Sequence, residues 1–291
     1  VFKALDSDVR IHILELLSIH PRLNMNELAE KLGISNGALT MHVKLLQTAK
    51  LIEVQTATGK HGTQKICCLH EDSLIVDLKP PVSGNLYEVE IDVGHFSDYQ
   101  IFPTCGLATK DRIIGEWDEP RYFADPERIN AAIIWFTKGH VDYRIPNYLK
   151  PDQRPEEIQM SFEIGSEAPG FCDDWPSDIH FYLNGTLLGF WTSPGDFGSV
   201  KGLFTPTWWQ TNWNQYGLLK LLAINEYGTF IDGLKISDVT LDDVGITNKS
   251  DLVFRFAVPE TARNVGGLTL YGRGFGNYNQ GIHARVLWET I

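Results

Sequence analysis

The stretch "NMNELAEKLGISNGALTMHVKLLQTA" (residues 24–49) predicts two short helices joined by a tight turn, and it decides the fold of the first part of the chain. Asn24 and Glu27 have the spacing of a capping box, in which each side chain bonds the backbone N–H of the other residue. Gly33 is placed to end the first helix, and Ser35 is placed to cap the second. Two helices joined in this way form a helix-turn-helix.

Apolar residues recur at helical spacing in both helices of this motif and in the segment before it. That segment, "DVRIHILELLSIH" (residues 8–20), predicts a further helix, which Pro21 would end. The predicted core positions are Val9, Ile13, Leu16 and Leu17 in this segment, with Ile11 and Leu14 widening the apolar stripe, Met25, Leu28, Ala29 and Leu32 in the next helix, and Leu39, Val43 and Leu46 in the last.

After the motif, "LIEVQ" (residues 51–55) and "QKICCL" (residues 64–69) predict two strands of a hairpin whose tip holds two glycines. Three helices followed by a hairpin make a winged helix, to which we assign residues 1–80. The helix face turned away from the predicted core carries Asn36, Gly37, Thr40, Met41 and Lys44.

This helix face has the residue types that contact double-stranded DNA, because small and amide side chains near a helix N-terminus can approach base edges and phosphates closely. Lys60, His61 and Lys65 would place positive charge on the hairpin, where a DNA backbone would run alongside. The alternative is a solvated helix face beside an ordinary hairpin.

Residues 1 to about 70, from "FKALDSDVRIHILELL" through the quoted motif to "LIEV", resemble the ArsR family of winged-helix repressors. The resemblance implies that the third helix reads DNA, and it gives that role to Ser35, Asn36, Gly37, Thr40, Met41, His42 and Lys44. Met41 departs from the family, in which an arginine is common at this position. The cysteine pair of metal-sensing members is missing from "ELAEKLG", and "EDSLIVDLK" (residues 71–79) is short for the last helix with which many members dimerise.

The composition changes at Pro80–Pro81. All eight Trp, all ten Tyr and fourteen of the fifteen Phe lie after it. Nine basic residues balance nine acidic ones in residues 1–80, so the formal charge of -12 belongs to the second part. A domain so acidic does not bind nucleic acid through its general field. Any DNA contact therefore falls to residues 1–80. We assign residues 82–291 to a separate domain, and the aromatic and amide residues described below indicate that this domain senses a ligand.

In this second part, short apolar runs broken by Gly, Pro, Asn and Asp predict an antiparallel β-sandwich, so the fold class of the chain is multidomain α+β. "DIHFYLNGTLLGFW" (residues 178–191) predicts a hairpin about Asn184–Gly185. "LVFRFAV" (residues 252–258) and "GIHARVLWE" (residues 281–289) predict further strands. "DPERINAAIIWFTKG" (residues 125–139) has the best helical period of this part.

The Asn-Gly hairpin and the closing segment (residues 266–288) are similar to jelly-roll sandwiches of galactose-binding-like and carbohydrate-binding modules. "TPTWWQTNWNQYG" (residues 205–217) alternates aromatic rings with amides, which suit the apolar face and the hydroxyl rim of a sugar. Because Trp208 and Trp209 are adjacent, an extended segment would point them to opposite faces. The candidate ligand residues are Trp175, Asp178, Asp196, Trp208, Trp209, Trp213, Gln215 and Tyr216.

Three other interpretations of these residues stay open. The tryptophans could be core packing, which is the commoner fate of a buried Trp. Asp173, Asp174, Asp178 and Asp196 could ligate calcium, although their spacing matches no loop template. Glu163, Glu167 and Asp196 could supply the acid and base of a glycosidase.

The order of the two domains resembles a two-domain bacterial regulator, with an ArsR-type head and a jelly roll. We therefore expect a dimeric repressor of operator DNA whose affinity responds to a small effector, a carbohydrate, without catalysis or cofactor. In the alternative, the second domain serves dimerisation or protein interaction only. No CxxC spacing, no membrane-length apolar run and no leader sequence are present, which favours the cytoplasm. The cysteines are Cys67, Cys68, Cys105 and Cys172.

Overall fold

The computed structural model describes residues 1–20, 22–59, 62–70 and 85–291. The chain forms two units, Val1–Pro80 and Pro81–Ile291. Pro21, the segment at residues 71–79 and the hairpin-tip residues Lys60 and His61 lie outside the described residues.

The first unit is a winged helix. Its sheet has the order β1-β3-β2, and both of its strand pairs are antiparallel. The two-residue strand β1 was not predicted; it precedes the helix-turn-helix and pairs with the second strand of the hairpin, Leu23 opposite Cys67. The elements are α1 (Phe2–Leu5), α2 (Asp8–Ile19), β1 (Leu23–Asn24), α3 (Met25–Leu32), α4 (Asn36–Thr48), β2 (Ile52–Gly59) and β3 (Gly62–Leu69).

The helix ends confirm the local predictions. Asn24 Oδ1 accepts from Glu27 N at 3.0 Å while Asn24 N donates to Glu27 Oε2 at 2.8 Å, which completes the capping box. Gly33 ends α3 with φ 66°, in the left-handed region where a side chain would be strained. Ser35 Oγ accepts from Ala38 N at 3.3 Å and caps α4. These bonds fix the angle at which α4 leaves α3.

The core of the first unit forms where the helical spacing placed it. Of the thirteen predicted positions, seven are buried, five are half-buried at its margin and one, Ile11, is exposed, because it lies at the outer limit of the stripe. The half-buried positions are Val9, Leu14, Leu16, Met25 and Leu32. The buried positions are Ile13, Leu17, Leu28, Ala29, Leu39, Val43 and Leu46.

The second unit is an antiparallel β-sandwich of twelve strands. The strands are β4 (Leu86–Ile91), β5 (Asp98–Ala108), β6 (Ile133–Ile145), β7 (Gln153–Gly165), β8 (Ser177–Leu183), β9 (Thr186–Ser193), β10 (Leu218–Asn225), β11 (Gly228–Ile231), β12 (Leu234–Ser237), β13 (Leu252–Val258), β14 (Leu268–Tyr271) and β15 (Ile282–Thr290). A short helix, α5 (Leu241–Val244), precedes β13.

One layer of the sandwich has the strand order β9-β8-β13-β6-β5, and the other has the order β4-β15-β7-β10-β11-β12. The short strand β14 pairs with both β6 and β7 and so joins the two layers. Phenylalanines fill the space between them: the Phe162 ring on β7 lies 4.8 Å from the Phe256 ring on β13, centroid to centroid.

The helical period at residues 125–139 does not correspond to an α-helix. Pro126–Asn130 form a single 3₁₀ turn, and β6 begins at Ile133. The first four residues of β6 are all buried, because the strand is covered on both faces. A strand buried on both faces gives a continuous apolar run, which periodicity alone does not distinguish from a buried helix.

The predicted hairpin and the two further strands are confirmed. β8 and β9 join at Asn184 (φ 50°) and Gly185 (φ 82°), the two positive φ angles that a type I′ turn requires. The predicted strands near the C-terminus are β13 and β15. Within the described ranges, no helix has both the length and the apolar character needed to span a membrane.

One buried carboxylate ties β7 to two loops. Glu163 is fully buried, and its two oxygens accept from Gly217 N (2.9 Å), Asn277 N (2.8 Å) and Tyr278 N (2.9 Å). Gly276 lies so close that a Cβ atom there would be 2.2 Å from Glu163 Oε1. This commitment to backbone N–H groups leaves Glu163 unsuited to the acid–base role considered for it from the sequence.

We expect Glu163→Gln to destabilise the second unit by on the order of 1–3 kcal/mol, because the amide NH₂ would face backbone donors and leave one of them unpaired. Chemical denaturation of the full chain measures this loss. Glu156→Gln, at an exposed position on the same strand, is the matched control and should leave stability unchanged. Equal stability of the two variants would contradict the anchoring role of Glu163.

Candidate functional site

Three of the predicted DNA-contacting side chains are engaged within the helix-turn-helix. Ser35 Oγ caps α4, as described above. Asn36 Nδ2 donates to Asn26 Oδ1 on α3 at 2.9 Å, and Thr40 Oγ1 donates to the backbone oxygen of Asn36 at 2.7 Å. These side chains brace the start of α4, so a role in base contact would require them to exchange these bonds.

The other predicted residues of α4 differ in exposure. Met41 is 71% exposed, and Gly37 and Lys44 are also exposed. His42 is half-buried, and its Nδ1 is buried without a hydrogen-bond partner among the described residues. Lys65 is exposed on β3. Asn36 and Thr40 are exposed as well, so the outward surface of α4 combines Gly37, Met41 and Lys44 with amide and hydroxyl side chains that already have hydrogen-bond partners.

In the second unit, the tryptophan-rich stretch is not extended. Trp209 N donates to Pro206 O and Trp213 N donates to Gln210 O, both at 3.2 Å, so the stretch forms two successive turns. The prediction that Trp208 and Trp209 point to opposite faces is therefore wrong. Their rings touch, with centroids 5.5 Å apart.

Four tryptophans form one cluster, made of Trp117, Trp135, Trp209 and Trp213. Trp209 and Trp213 have ring centroids 4.8 Å apart, and Trp117 lies 4.8 Å from Trp213 and 5.2 Å from Trp135. Trp135 and Trp209 are buried, whereas Trp117 is 45% exposed. The sequence analysis missed Trp117 and Trp135, which lie in the loop after β5 and at the start of β6.

The four-tryptophan cluster forms one wall of a cleft of about 150 Å³ at the end of the sandwich. The cleft is small beside pockets for drug-sized ligands, which measure roughly 300–1,000 Å³. Its other lining residues come from a bulge in β5, the loop after β5, the segment after β7 and the loop before β10. They are Thr104, Asp118, Glu167, Ala168, Pro169, Gly170 and Asn214.

The polar side of the cleft is a hydrogen-bonded chain that ends on a carboxyl group. Asn214 Nδ2 donates to Thr269 Oγ1 at 3.2 Å, and Thr269 Oγ1 donates to Glu167 Oε2 at 3.1 Å. Thr104 Oγ1 donates to Glu167 Oε1 at 3.4 Å. Glu167 is half-buried and lines the cleft. The sequence analysis considered it only as a glycosidase residue.

Behind this lining, Asp196 is fully buried and Ala168 N donates to its Oδ2 at 3.0 Å. Asp196 Oδ1 has no hydrogen bond of normal geometry among the described residues. The Asn214 side chain nevertheless lies near enough to act to lower the pKa of Asp196. Burial outweighs these bonds and raises the pKa of Asp196 to about 7. Burial, and then the charge of Asp196, raises the pKa of Glu167 well above its usual range. Repulsion between the two carboxylates, Asp196 and Glu167, favours a state in which the pair keeps a proton near neutral pH.

Five predicted ligand residues do not line the cleft. Asp178 is buried, with Oδ1 accepting from Thr192 Oγ1 (2.7 Å) and Oδ2 accepting from Asn264 N (3.0 Å). Burial acts to raise the pKa of Asp178, but the bonds from Asn264 and Thr192 outweigh it and lower the pKa. Gln215 is buried and donates from Nε2 to Gln210 O and Trp213 O, which holds the turn together.

The remaining three of these five residues are aromatic. Tyr216 stacks on Phe197 with centroids 5.4 Å apart. Trp208 donates from Nε1 to Lys110 O at 2.6 Å, and Trp175 is 38% exposed outside the cleft. Trp209 and Trp213 are the predicted ligand residues that line the cleft, and Asp196 lies behind it.

The aspartates considered for calcium do not form a group that could hold an ion. Within the described residues, the one group of three His, Cys, Asp or Glu side chains with ligand atoms within 4.8 Å of one another is Asp98, His140 and Asp142. Both oxygens of Asp142 bind the Arg255 guanidinium, at 2.6 and 2.9 Å. That positive charge opposes a cation at this position.

The family model that matches the chain is that of the MarR family, over residues 7–62, which span α2 to the start of β3. The ArsR resemblance is therefore not confirmed. No curated protein matches the chain.

Two solved structures are similar to parts of the chain. One is the transcriptional regulator homologue protein from Pyrococcus horikoshii OT3, with 14% identity, 23% of this chain and 71% of that chain covered, and a TM-score of 0.20. The other is the CBM36-1 domain of a multidomain xylanase from the hindgut metagenome of Trinervitermes trinervoides, with 8% identity, 69% and 96% covered, and a TM-score of 0.29. Both TM-scores are too low for either similarity to bear on fold or ligand.

The raised pKa of Asp196 predicts how stability depends on pH. The folded state holds a proton that the unfolded chain releases near pH 4, so this group lowers the free energy of unfolding as pH rises from about 4 to about 7. Asp196→Asn should flatten the difference in stability between pH 5 and pH 8, measured by chemical denaturation. Asp152→Asn, at an exposed position in the turn before β7, should keep the wild-type slope. If both variants keep that slope, Asp196 does not titrate as described.

Proposed function

We propose that the chain is a transcription regulator in which the winged helix binds operator DNA and the acidic sandwich senses a small carbohydrate. The ligand lies in the cleft lined by the four-tryptophan cluster. The observation that carries the ligand proposal is that the aromatic rings and a carboxyl and amide network line the same cleft.

The DNA-binding half of the proposal rests on the first unit. The MarR match covers the helix-turn-helix, and α4 presents an exposed surface that includes Lys44. No acidic residue occurs in α4, so nothing on the helix itself repels phosphates. The excess of acidic residues lies in the other unit, which favours the first unit as the part that contacts DNA.

The carbohydrate proposal rests on the shape of the aromatic wall. Its rings lie in mutual contact, so they form one continuous surface and not two plates with room for a ligand between them. A sugar ring would therefore stack by one apolar face, and Trp117 is the most exposed ring of the four. The sugar hydroxyls would then pair with Glu167, Asn214 and other polar groups of the lining.

The charge of the cleft narrows the ligand class. Its lining contains Asp118 and Glu167 and no Lys, Arg or His. An anionic sugar, such as a uronate or a sugar phosphate, would find no cationic side chain in this lining to offset the desolvation of its charge. We therefore propose an uncharged saccharide.

A ligand changes operator affinity only if it binds the DNA-bound and free states differently, and such coupling is typically about 1–3 kcal/mol. One winged helix contacts few phosphates, so we further propose a homodimer that reads two half-sites and acts as a repressor. A second candidate function, in which the sandwich serves association between copies, draws on apolar residues exposed on β9 and β12. They are Leu187, Phe190 and Leu234.

The ligand proposal predicts stabilisation of the full chain by uncharged mono- and disaccharides, because binding to the folded state raises the melting temperature. The panel includes the matching uronates, which we expect to give no shift. Trp117→Ala should weaken binding of the most stabilising saccharide at least about tenfold, and so should Glu167→Gln.

Trp175→Ala is the control, because this ring is similarly exposed but lies outside the cleft. If Trp175→Ala abolishes binding and Trp117→Ala does not, the ligand site lies elsewhere on the sandwich. If no saccharide shifts the melting temperature, the carbohydrate proposal fails.

For DNA, Lys44→Ala should weaken binding to all sequences alike and reduce the salt dependence of affinity by about one counterion, because a lysine near phosphate acts without reading bases. Affinity is measured by fluorescence anisotropy over a salt series. Lys249→Ala, exposed on the acidic unit, should leave the slope unchanged. An unchanged slope for Lys44→Ala would contradict its placement beside the DNA backbone.

A further inference from the structure

The exposed surface of α4 includes a large apolar side chain. Leu39, Val43 and Leu46 define the buried face of the helix. At 3.6 residues per turn, Met41 lies almost opposite that face, and it is 71% exposed. Leu45, one turn further along, is 41% exposed. An apolar strip thus runs along the part of α4 that projects furthest from its own core.

Two polar side chains near this strip already have hydrogen-bond partners within the helix-turn-helix. Asn36 donates to Asn26 on α3, and the Thr40 hydroxyl donates back to the helix backbone. Lys44 follows Met41 by three residues, so the two side chains are neighbours on the exposed face of the helix. The helix contains no arginine, the residue most often used to read guanine.

The chemistry of the major groove gives an apolar side chain one distinctive partner. Every base edge there offers hydrogen-bond donors or acceptors, but only thymine adds a methyl group. A methionine side chain has no donor and is flexible and polarisable, so it packs well against a methyl group. Single exposed apolar residues are otherwise common and need no function.

Two observations favour DNA over a protein surface as the partner of this strip. The MarR match makes α4 the second helix of a helix-turn-helix, the element whose N-terminal half lies against base edges in this motif. α4 has no acidic residue, and Lys44 lies beside the strip, so the charge around Met41 suits a polyanion.

We propose that Met41 determines operator specificity by packing against a thymine methyl group in each half-site. This inference rests on the proposed DNA-binding function and adds to it the base that the helix selects. An arginine at this position would select guanine, whereas Met41 shifts the preference to an A·T pair with thymine under the side chain.

The test begins with the full chain and a library of random DNA duplexes, from which bound sequences are selected and an operator is defined. Each thymine of a half-site is then replaced in turn by uracil, which removes only the methyl group. For the wild type we expect one uracil position per half-site to weaken binding about fourfold, the worth of one buried methyl group.

The same uracil substitution should have no effect on Met41→Ala, which completes a double-mutant cycle between one side chain and one methyl group. Ile19→Ala is the control, because Ile19 is as exposed as Met41 but lies at the end of α2. It should retain the fourfold uracil effect. Circular dichroism verifies that both variants fold.

Two results would overturn the inference while leaving DNA binding intact: no thymine of the selected operator responds to uracil, or Met41→Ala responds as strongly as the wild type. If the selection enriches no sequence, the proposed DNA-binding function and the inference fail together.

Discussion

The cleft depends on the buried carboxylate of Glu163. Its oxygens hold Gly217, at the end of the tryptophan-rich turns, and Asn277 and Tyr278, in the loop after β14. A buried charge is costly unless hydrogen bonds replace its hydration, and backbone N–H groups do so here. Thr205 adds a second link, because its hydroxyl donates to Gln215 O and accepts from Gly276 N.

These anchors give the irregular loops enough rigidity to present large rings. Trp209 packs edge-on against Phe275, whose loop is held by the same carboxylate. The alternation along β7 places Phe162 in the space between the layers and Glu163 on the opposite face, where the loops lie. Glu167 follows just after the strand ends and reaches the cleft. β7 and the segment just after it therefore supply a core residue, a loop anchor and a polar residue of the candidate site.

Local chemistry made the first unit predictable. The capping box, the Gly33 cap and the helical apolar spacing each act over a few residues, and all appear in the structure. The Asn184–Gly185 turn was predictable for the same reason. β6 was not, because its burial on both faces removes the period that marks a strand.

The cleft was only partly predictable, because five separate segments line it. The tryptophan-rich stretch pointed to Trp209 and Trp213, but Trp117, Trp135 and Glu167 are distant in sequence and meet only after the sandwich forms. Asp178 and Asp196 looked equivalent in sequence, but their environments differ. Both oxygens of Asp178 accept hydrogen bonds, whereas Asp196 is buried behind the cleft lining. The burial and the hydrogen-bond partners of such residues depend on segments that are distant in sequence, so no local pattern predicts them.

If the cleft regulates the winged helix, its occupation changes operator affinity, and one titration measures that change. The dissociation constant of the full chain for its selected operator is measured with and without a saturating saccharide, for the wild type and for Trp117→Ala. We expect a change of about 5- to 150-fold for the wild type, whereas Trp117→Ala should need at least about tenfold more saccharide to reach the same change. A saccharide that stabilises the wild type but leaves its operator affinity unchanged would rule out regulation through the cleft.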